Sequence, residues 1–417
     1  MHRTFGSLRG FNYRIWAGGA IISNIGTWMQ STAQDWLVLT QLTHNNATAV
    51  GVVMALQFGP LILLLPWTGF AADHLDRRKL LIATQAAMGL LALGLGLLTI
   101  TGVVQLWHVY IFAFLLGCVT AFDSTARQTF VSELVGEAQL ANAVALNSTS
   151  FNAARMIGPA VAGVLIAGVG TGWVFLINAL SFAAVLGSLA FLRVGELHRG
   201  IKPTPTPGGV LEGFRYVWHR PDIKAVLLMF FLIGTFGANF PIFISTMSVS
   251  VFHVGAHQYG ILSSMMAGGS VAGALLARQR RQPGIPSMFV ALVIFGAGCA
   301  AAALMPDYWL FGVALILIGI AGQTFTTSAN STVQLATEPS MRGRVMALLL
   351  AIALGGTPVG APIVGWVADN LGPRWALAVG AASGLAAAAI GLRYLVKYRG
   401  LRLWVADWHV RMSLDPG

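Results

Sequence analysis

Charged residues are scarce in this chain: they make up 9% of its 417 residues, whereas 56% are hydrophobic. An average soluble domain carries about 25% charged residues. So few charges do not cover a water-facing surface, which excludes an ordinary soluble protein. The composition predicts that lipid surrounds much of the chain.

Acidic residues are scarcer than basic ones, 14 against 25, and the formal net charge is +11. A basic surplus of this size can indicate nucleic-acid binding, but these bases lie between long apolar runs. There they fix membrane orientation and meet anionic headgroups. We therefore expect membrane lipid, and not nucleic acid, as a partner.

Cysteine is limited to Cys118 and Cys299, both inside apolar runs. Two cysteines placed in this way argue against a disulfide framework and against a metal site. The dipeptide Gly-Lys never occurs, so the chain lacks a recognisable phosphate-binding loop, and no catalytic triad spacing is present. We expect no enzyme activity, no cofactor and no metal; any transport must use an ion gradient or run downhill.

Long apolar runs are abundant instead, and a membrane-spanning helix needs about 20 such residues. Three arginines precede the first run, as in a signal peptide, but that run is too long for one and predicts a retained helix. The chain is predicted to be an all-α membrane protein of twelve transmembrane helices in two six-helix bundles. The predicted spans are 15–41, 47–71, 79–101, 105–127, 139–169, 172–193, 222–252, 259–277, 286–305, 308–330, 342–369 and 373–396.

The loops between these runs alternate in charge. One series carries Lys and Arg, and in the other only Arg374 is basic. The positive-inside rule therefore predicts that both termini are cytoplasmic in a multi-pass protein of the inner (plasma) membrane. The basic series consists of Arg77, Arg78, Lys79, Arg193, Arg199, Lys202, Arg278, Arg280, Arg281, Arg342 and Arg344.

A Pro- and Gly-rich stretch divides the chain near its middle. Its composition predicts a linker, with a short surface helix from Glu212 to Arg220. A shift of 202 positions places Gly117, Gly158 and Gly163 on later glycines, which favours two parallel repeats. The predicted organisation is an N-terminal bundle at 1–192, a cytoplasmic linker at 193–221, a C-terminal bundle at 222–397 and a cytoplasmic tail at 398–417.

The segment from Gly69 to Lys79 resembles the signature loop of the major facilitator superfamily: Gly, three residues, Asp, then a basic cluster. His74 and Asp76 replace the usual Arg and Gly. The resemblance implies a cytoplasmic gate. We assign this gating motif to Gly69, Asp73, Arg77, Arg78, Asp123 and Arg127, although topogenic bases and a local Asp123–Arg127 pair are the alternatives.

The fifth span resembles the Gly-Pro motif of drug/proton exchangers, from Ala154 to Gly163. With Trp28-Met29-Gln30 and the 342–347 stretch, it is similar to the drug and siderophore exporter branch of the superfamily. Close helix packing is the main role expected of the glycines, and the resemblance implies that spans five and eight meet. The packing residues are Gly158, Pro159, Gly163, Gly269 and Gly273.

The intramembrane charges that are candidates for proton coupling are Asp35, toward the outer end of the first span, and Arg155, about halfway along the fifth. A central charge costs about 2.5–3.5 kcal/mol to insert, so Arg155 should have a partner, and Asp35 is one possibility. A purely structural ion pair, or bonds to backbone carbonyls, is the alternative.

Polar stripes on spans one and ten mark a possible substrate route, because the resemblance implies that these spans line a cavity. Interhelical hydrogen bonding is the alternative. The predicted lining residues are Asn24, Trp28, Ser31, Gln323, Thr326, Asn330, Phe236 and Asn239. The sequence thus predicts a transporter that exports a small amphipathic compound in exchange for protons. An uptake permease and a non-transporting receptor or assembly factor remain alternatives.

Overall fold

The computed structural model describes residues 6–198, 210–279, 284–339, 341–399, 402–406 and 409–413. Almost all of them are helical, as expected for a chain that must satisfy its backbone hydrogen bonds in lipid. The helices of the first sequence half are α1 (Phe11–Trp36), α2 (Ala47–Leu63), α3 (Leu65–His74), α4 (Arg77–Ile100), α5 (Leu106–Leu134), α6 (Glu137–Val169) and α7 (Thr171–Ala190).

After α7 come a short 3-10 turn, Val194–Glu196, and nine further helices. They are α8 (Val210–Trp218), α9 (Pro221–Leu232), α10 (Phe240–Thr246), α11 (Ala256–Gln279), α12 (Ile285–Leu304), α13 (Tyr308–Ala336), α14 (Arg342–Gly355), α15 (Thr357–Asn370) and α16 (Pro373–Arg399). An antiparallel hairpin of β1 (Arg402–Ala406) and β2 (His409–Ser413) comes last.

In the described chain, ten helical stretches are long and apolar enough to cross a membrane, and the bent pair α2–α3 makes eleven. The first predicted span corresponds to α1 and the π-helical turn Leu37–Leu42. Helix α1 has 26 residues, about 39 Å, but it is more polar than the others. The membrane fold is confirmed, whereas the count of twelve stays a prediction at this first helix.

Several spans are interrupted, which the apolar runs alone did not reveal. Pro60 lies inside α2, and α2 and α3 meet at an angle of 57°. The seventh predicted span contains π-helical turns at Ile233–Gly237 and Met247–Val251. The eleventh is divided at Gly356 into α14 and α15. Proline removes a helical hydrogen bond, and π turns insert an extra residue, so both bend a helix.

The chain forms two compact units that do not coincide with its sequence halves. The first contains 1–205, 241–267 and 361–370, and the second contains the remaining segments. The first unit therefore includes pieces of the seventh, eighth and eleventh predicted spans. The division into bundles at 1–192 and 222–397 stays a prediction.

Helix α1 lies close against α7 because small residues occur at the contact. A methyl group on Gly19 would lie 2.9 Å from Ser188 Oγ, and one on Gly26 would lie 2.3 Å from Asn178 Oδ1. Small residues of this kind let membrane helices approach closely. Nearby, Asn178 Nδ2 donates to Gln30 Oε1 at 2.6 Å, which ties the two helices together with a buried polar bond.

Two glycine pairs predicted to be equivalent make equivalent contacts. Gly158 of α6 packs on the first span at Trp28, and Gly360 of α15 packs on the seventh at Thr235. Similarly, Gly163 meets the start of α11, and Gly365 meets the start of α2. Spans five and eleven thus contact partners that the 202-residue repeat relates, which supports the repeat by a second observation.

The region after α7 contains a short helix, as predicted between Glu212 and Arg220. It spans Val210–Trp218 and is fixed to α14 by an ion pair of 2.9 Å between Glu212 Oε2 and Arg344 Nη1. Residues 199–209, which include the Pro/Gly-rich part of the linker and the bases Arg199 and Lys202, lie outside the described residues.

Candidate functional site

The loop between α3 and α4 carries the predicted gating motif, and Asp76 forms a helix cap there. Its side chain accepts a hydrogen bond from Lys79 N at 3.1 Å, and its backbone is extended (φ −68°). An aspartate at a helix start stabilises it by satisfying a free N–H. Asp76 therefore replaces the family's usual glycine without needing a left-handed conformation.

The first two bases of this motif are held within the first unit. Arg77 forms an ion pair of 2.8 Å with Glu133 at the end of α5, and Arg78 donates to Leu189 O at 3.0 and 2.8 Å. The Asp73 side chain lies outside the described residues. A methyl group on Gly69 would meet nothing within 4 Å, so close packing does not require glycine there.

Asp123 of α5 is buried in a hydrogen-bond cluster and is separate from the pair just described. It pairs with Arg127, four residues along the same helix, at 3.1 Å. Its other oxygen accepts from Thr84 Oγ1 at 2.8 Å and from Gln85 Nε2 at 2.7 Å. Asp123 thus joins α4 to α5 and stabilises this part of the first unit in addition to its local pair.

Asp35 lies near the end of α1 and is 6% exposed. Its Oδ2 is 3.5 Å from the hydroxyl of Tyr259 on α11, which donates to it. The Tyr259 ring stacks on Trp36 at a centroid distance of 5.6 Å. In the described chain Asp35 forms no ion pair, so its partner is a phenol from the eighth predicted span.

The end of the helices that carries the acidic or uncharged loops is the outer end in the predicted orientation, and the opposite end is the inner end. At the outer end α6 contacts α11 closely. A methyl on Gly260 would lie 2.3 Å from Pro159 O, and one on Gly163 would lie 2.7 Å from Ala256 O. Only glycine permits this approach. Spans five and eight thus meet in the first unit.

The other two packing glycines have a different partner from the one expected. Methyl groups on Gly269 and Gly273 would lie 2.2 Å from Ile316 O and 2.4 Å from Ile320 O. Both glycines therefore pack on α13, the tenth predicted span, and not on α6. The sequence shows small residues at helical spacing, but it does not show which helix they face.

Arg155 has no ion pair or side-chain hydrogen bond among the described residues, which contradicts the expected structural partner. Pairing with Asp35 is also wrong, and the register of α1 against α6 explains why. Tyr13 bonds to Ala143 O and Gly158 packs on Trp28, a constant offset of 130 positions. Arg155 is thus level with residue 25, ten residues or about 15 Å from Asp35 along the axis.

The two predicted polar stripes lie in different units. On α1, Asn24, Trp28 and Ser31 are half-buried, and neither Asn24 nor Ser31 has a side-chain hydrogen bond among described residues. On α13, Gln323, Thr326 and Asn330 are half-buried and bond within their own helix, to Thr327 Oγ1, Gly322 O and Thr326 O. All six side chains are thus partly accessible.

The two lining candidates of the seventh predicted span differ in their surroundings. Phe236 is half-buried in a π-helical turn. Asn239 is fully buried and donates to Thr235 O at 2.8 Å. Its Oδ1 and the Thr235 hydroxyl have no described partner. Asn239 therefore adjoins the contact between this span and the eleventh, where Gly356, at the break between α14 and α15, and Gly360 of α15 pack on Thr235.

Three residues of these sites have no signal in the sequence. Tyr259 begins the eighth predicted span, Glu133 lies just beyond the fourth, and Asp369 ends the eleventh. In the structure Asp369 accepts hydrogen bonds from Ala47 N and Thr48 N at the start of α2, at 2.7 and 2.8 Å. The contacts of these three residues each join positions more than fifty residues apart in the chain. Helical periodicity relates only residues within one helix, so it does not reveal such contacts.

Comparison with known proteins identifies the family. The sequence profile of the transmembrane secretion effectors matches residues 3–403. The chain belongs to this family, within the major facilitator superfamily. It is therefore a multi-pass membrane transporter and not an enzyme.

Characterised relatives of this transporter are siderophore and drug transporters. The staphyloferrin A transporter of Staphylococcus aureus is 26% identical, covering 84% of this chain and 87% of its own. The multidrug efflux pump Tap of Mycolicibacterium fortuitum is 25% identical, covering 85% and 88%. The enterobactin exporter EntS of Shigella flexneri is 25% identical, covering 88% and 87%. The predicted exporter resemblance is confirmed.

The fold also resembles solved transporters. A bacterial homologue of the human lysosomal transporter Spinster aligns with a TM-score of 0.71 at 15% identity, covering 94% of this chain and 97% of its own. At this identity the similarity concerns the fold alone. It agrees with the predicted major facilitator fold.

Proposed function

We propose that this transporter exports a small amphipathic compound of the drug or siderophore kind in exchange for protons, by alternating access. The relatives named as exporters support the direction and the substrate class, because the similarity extends over most of both chains. The positive-inside rule supports an inner-membrane location with cytoplasmic termini.

The observation that carries the proton coupling is the contact between Asp35 and Tyr259. An unpaired carboxylate costs free energy when it is buried, and a bound proton removes most of that cost. The contact joins helices of the two sequence halves, so separating them would expose Asp35 to water. Closure around Asp35 and proton binding therefore favour one another, which is the linkage that an exchanger needs.

The contacts at the outer end also suit a closure that opens in each cycle. They consist of glycine–backbone approaches between α6 and α11 and between α2 and α15, with a phenol and two carboxylates among them. Contacts of this kind leave no large apolar surface exposed when they separate. The gating motif at the inner end would perform the opposite closure.

The experiment uses inside-out membrane vesicles with a proton gradient made by respiration, and enterobactin, staphyloferrin A and ethidium as probes. We expect at least one probe to accumulate and to dissipate the gradient on addition. Asp35→Asn should abolish uphill accumulation while probe exchange at equal pH continues. Tyr259→Phe, which keeps the ring but loses the hydroxyl, should weaken coupling partially.

Glu196→Gln is the matched control, because it removes an acid from an exposed ion pair with Arg193 and should change nothing. Accumulation by Asp35→Asn against the gradient would show that the proton is carried elsewhere. Accumulation only in right-side-out vesicles would identify an uptake permease. No movement of a wider compound panel in either orientation would favour a non-transporting role.

A further inference from the structure

Arg155 lies on one face of α6 together with Ser148, Phe151, Ala162 and Ile166, at spacings of three, four, seven and four. The part of this face nearer the inner end is open, meaning that its side chains are exposed: Ser148 is exposed and Phe151 is 46% exposed. The part nearer the outer end is closed, meaning that its side chains are buried: Ala162 is 0% and Ile166 7% exposed. Arg155 is half-buried and is the last residue of the face before the closed part.

This open face lies between two faces of α6 that are packed. Gly158 contacts α1 on one side, and Pro159 contacts Gly260 of α11 on the other. The residues of α1 level with the open face, Ile21 and Ile22, are 38% and 51% exposed. Arg155 therefore lies where the exposed part of this face, toward the inner end, meets the packed part toward the outer end.

The guanidinium has no partner of opposite charge among the described residues, although a charge at this depth is costly to insert. A structural arginine would be paired or bonded to backbone carbonyls. An arginine that is kept unpaired in an accessible place is available to an external anion, and its planar N–H groups match carboxylate, sulfonate or phosphate oxygens.

Two aromatic rings lie within about one helical turn of Arg155. Phe151 is four residues before Arg155, one turn along the same face, and packs edge-to-face with Trp28 at a centroid distance of 5.7 Å. The pair offers apolar surface next to a cation. An amphipathic ligand with a ring and an acidic group matches both features at once.

We propose that Arg155 is the anion-recognition residue of the substrate site and that the exported compound is an anionic, ring-bearing amphiphile. This rests on the proposed function and narrows its substrate to a chemical class. Arg155 binds the acidic group, and Phe151 with Trp28 contacts the ring. A cationic drug is disfavoured at this position because the guanidinium repels it.

The test measures equilibrium binding to the full chain in phosphatidylcholine nanodiscs, with no proton gradient, so a failure of proton coupling does not affect it. The probes are 8-anilinonaphthalene-1-sulfonate and N-phenyl-1-naphthylamine, which differ only in the sulfonate. Fluorescence from empty nanodiscs is subtracted to remove partitioning into lipid. Wild type should bind the sulfonate at least tenfold more tightly than the neutral probe.

Arg155→Gln should weaken sulfonate binding about tenfold, the scale of one hydrogen-bonded charge, and leave the neutral probe unchanged. Arg155→Lys should retain part of the preference. Arg393→Gln is the matched control, since it removes an exposed arginine of α16 and should alter neither probe. Should Arg155→Gln fail to insert, Arg155→His replaces it, and its sulfonate affinity should fall as the pH rises from 5 to 8.

Four outcomes overturn the proposal. Sulfonate binding by Arg155→Gln equal to wild type removes the role of the charge, and so does a pH-independent Arg155→His. A preference of wild type for the neutral probe over the sulfonate excludes an anionic substrate. Phosphatidylglycerol that copurifies with wild type, blocks the sulfonate and is absent from Arg155→Gln would assign the residue to a lipid headgroup.

Discussion

Asp369, in the last turn of α15, caps the first turn of α2 at Thr48, 321 positions earlier in the chain. Its Oδ2 accepts hydrogen bonds from the Thr48 backbone N–H at 2.8 Å and from the Thr48 hydroxyl at 2.5 Å, while Oδ1 accepts from Ala47 N at 2.7 Å. Asn46 satisfies the next amide, Ala49 N. The carboxylate thus acts as a helix cap supplied by another span, where a negative charge also favours the helix dipole.

Removing this charge should loosen the outer closure. An N-terminal cap contributes about 1 kcal/mol, so Asp369→Ala should shift the closed-to-open ratio roughly fivefold, and Asp369→Asn should shift it less. The measurement is the rate at which an impermeant maleimide labels a cysteine in place of Met54, which is 6% exposed and lies on α2 six residues after Thr48. Both native cysteines are replaced beforehand.

Asp307→Ala provides the control for this prediction. Asp307 is also an outer-end aspartate that caps a helix, but the helix is its own, since it accepts from Trp309 N and Leu310 N. Its removal should leave the labelling of the Met54 position unchanged. Equal rates in wild type and Asp369→Ala would mean that the glycine contacts alone hold this end shut.

Orientation is the second prediction, and the loop charges motivate it. Single cysteines in place of His44 and Val103 should react with impermeant maleimide added to intact cells, whereas those in place of Leu75 and Gly195 should not. All four positions are exposed, so accessibility within the protein does not explain a difference. Labelling of the Gly195 position from outside would contradict the cytoplasmic termini.

The sequence predicted those features that depend on a single segment. Apolar run length gave the spans, because each run must cross the bilayer alone, and Glu212–Arg220 gave the short helix after α7. The alternation of basic and non-basic loops gave the orientation hypothesis. The repeat was visible at Gly158 and Gly163 because equal packing demands equal residues.

The sequence did not predict features that depend on how two helices are rotated and shifted relative to one another. The Asp35–Arg155 hypothesis failed because helix register separates the two residues by about 15 Å. Gly269 and Gly273 were assigned to the wrong partner because a glycine face is compatible with any close neighbour. Tyr259 and Glu133 were missed because an isolated polar residue at the end of an apolar run is ordinary.

The inner end provides the last prediction, which asks whether Arg77 is a gate or a scaffold residue. The resemblance assigned it to the gate, but in the structure it pairs with Glu133 inside the first unit, with side chains only 17% and 15% exposed. Breaking such a partly buried pair leaves one charge uncompensated. Arg77→Glu and Glu133→Arg should each lower the melting temperature of the purified transporter by a few degrees.

The double exchange, Arg77→Glu with Glu133→Arg, separates the two roles because it restores the pair in reverse. A scaffold role predicts that melting temperature and transport both recover, with a coupling free energy of about 1 kcal/mol between the two positions. Recovery of the melting temperature without transport would show that the charge at position 77 also acts in the gate. The exposed pair Arg193–Glu196, reversed in the same way, serves as the control, because an exposed ion pair contributes little to stability. Its reversal should therefore leave both quantities unchanged.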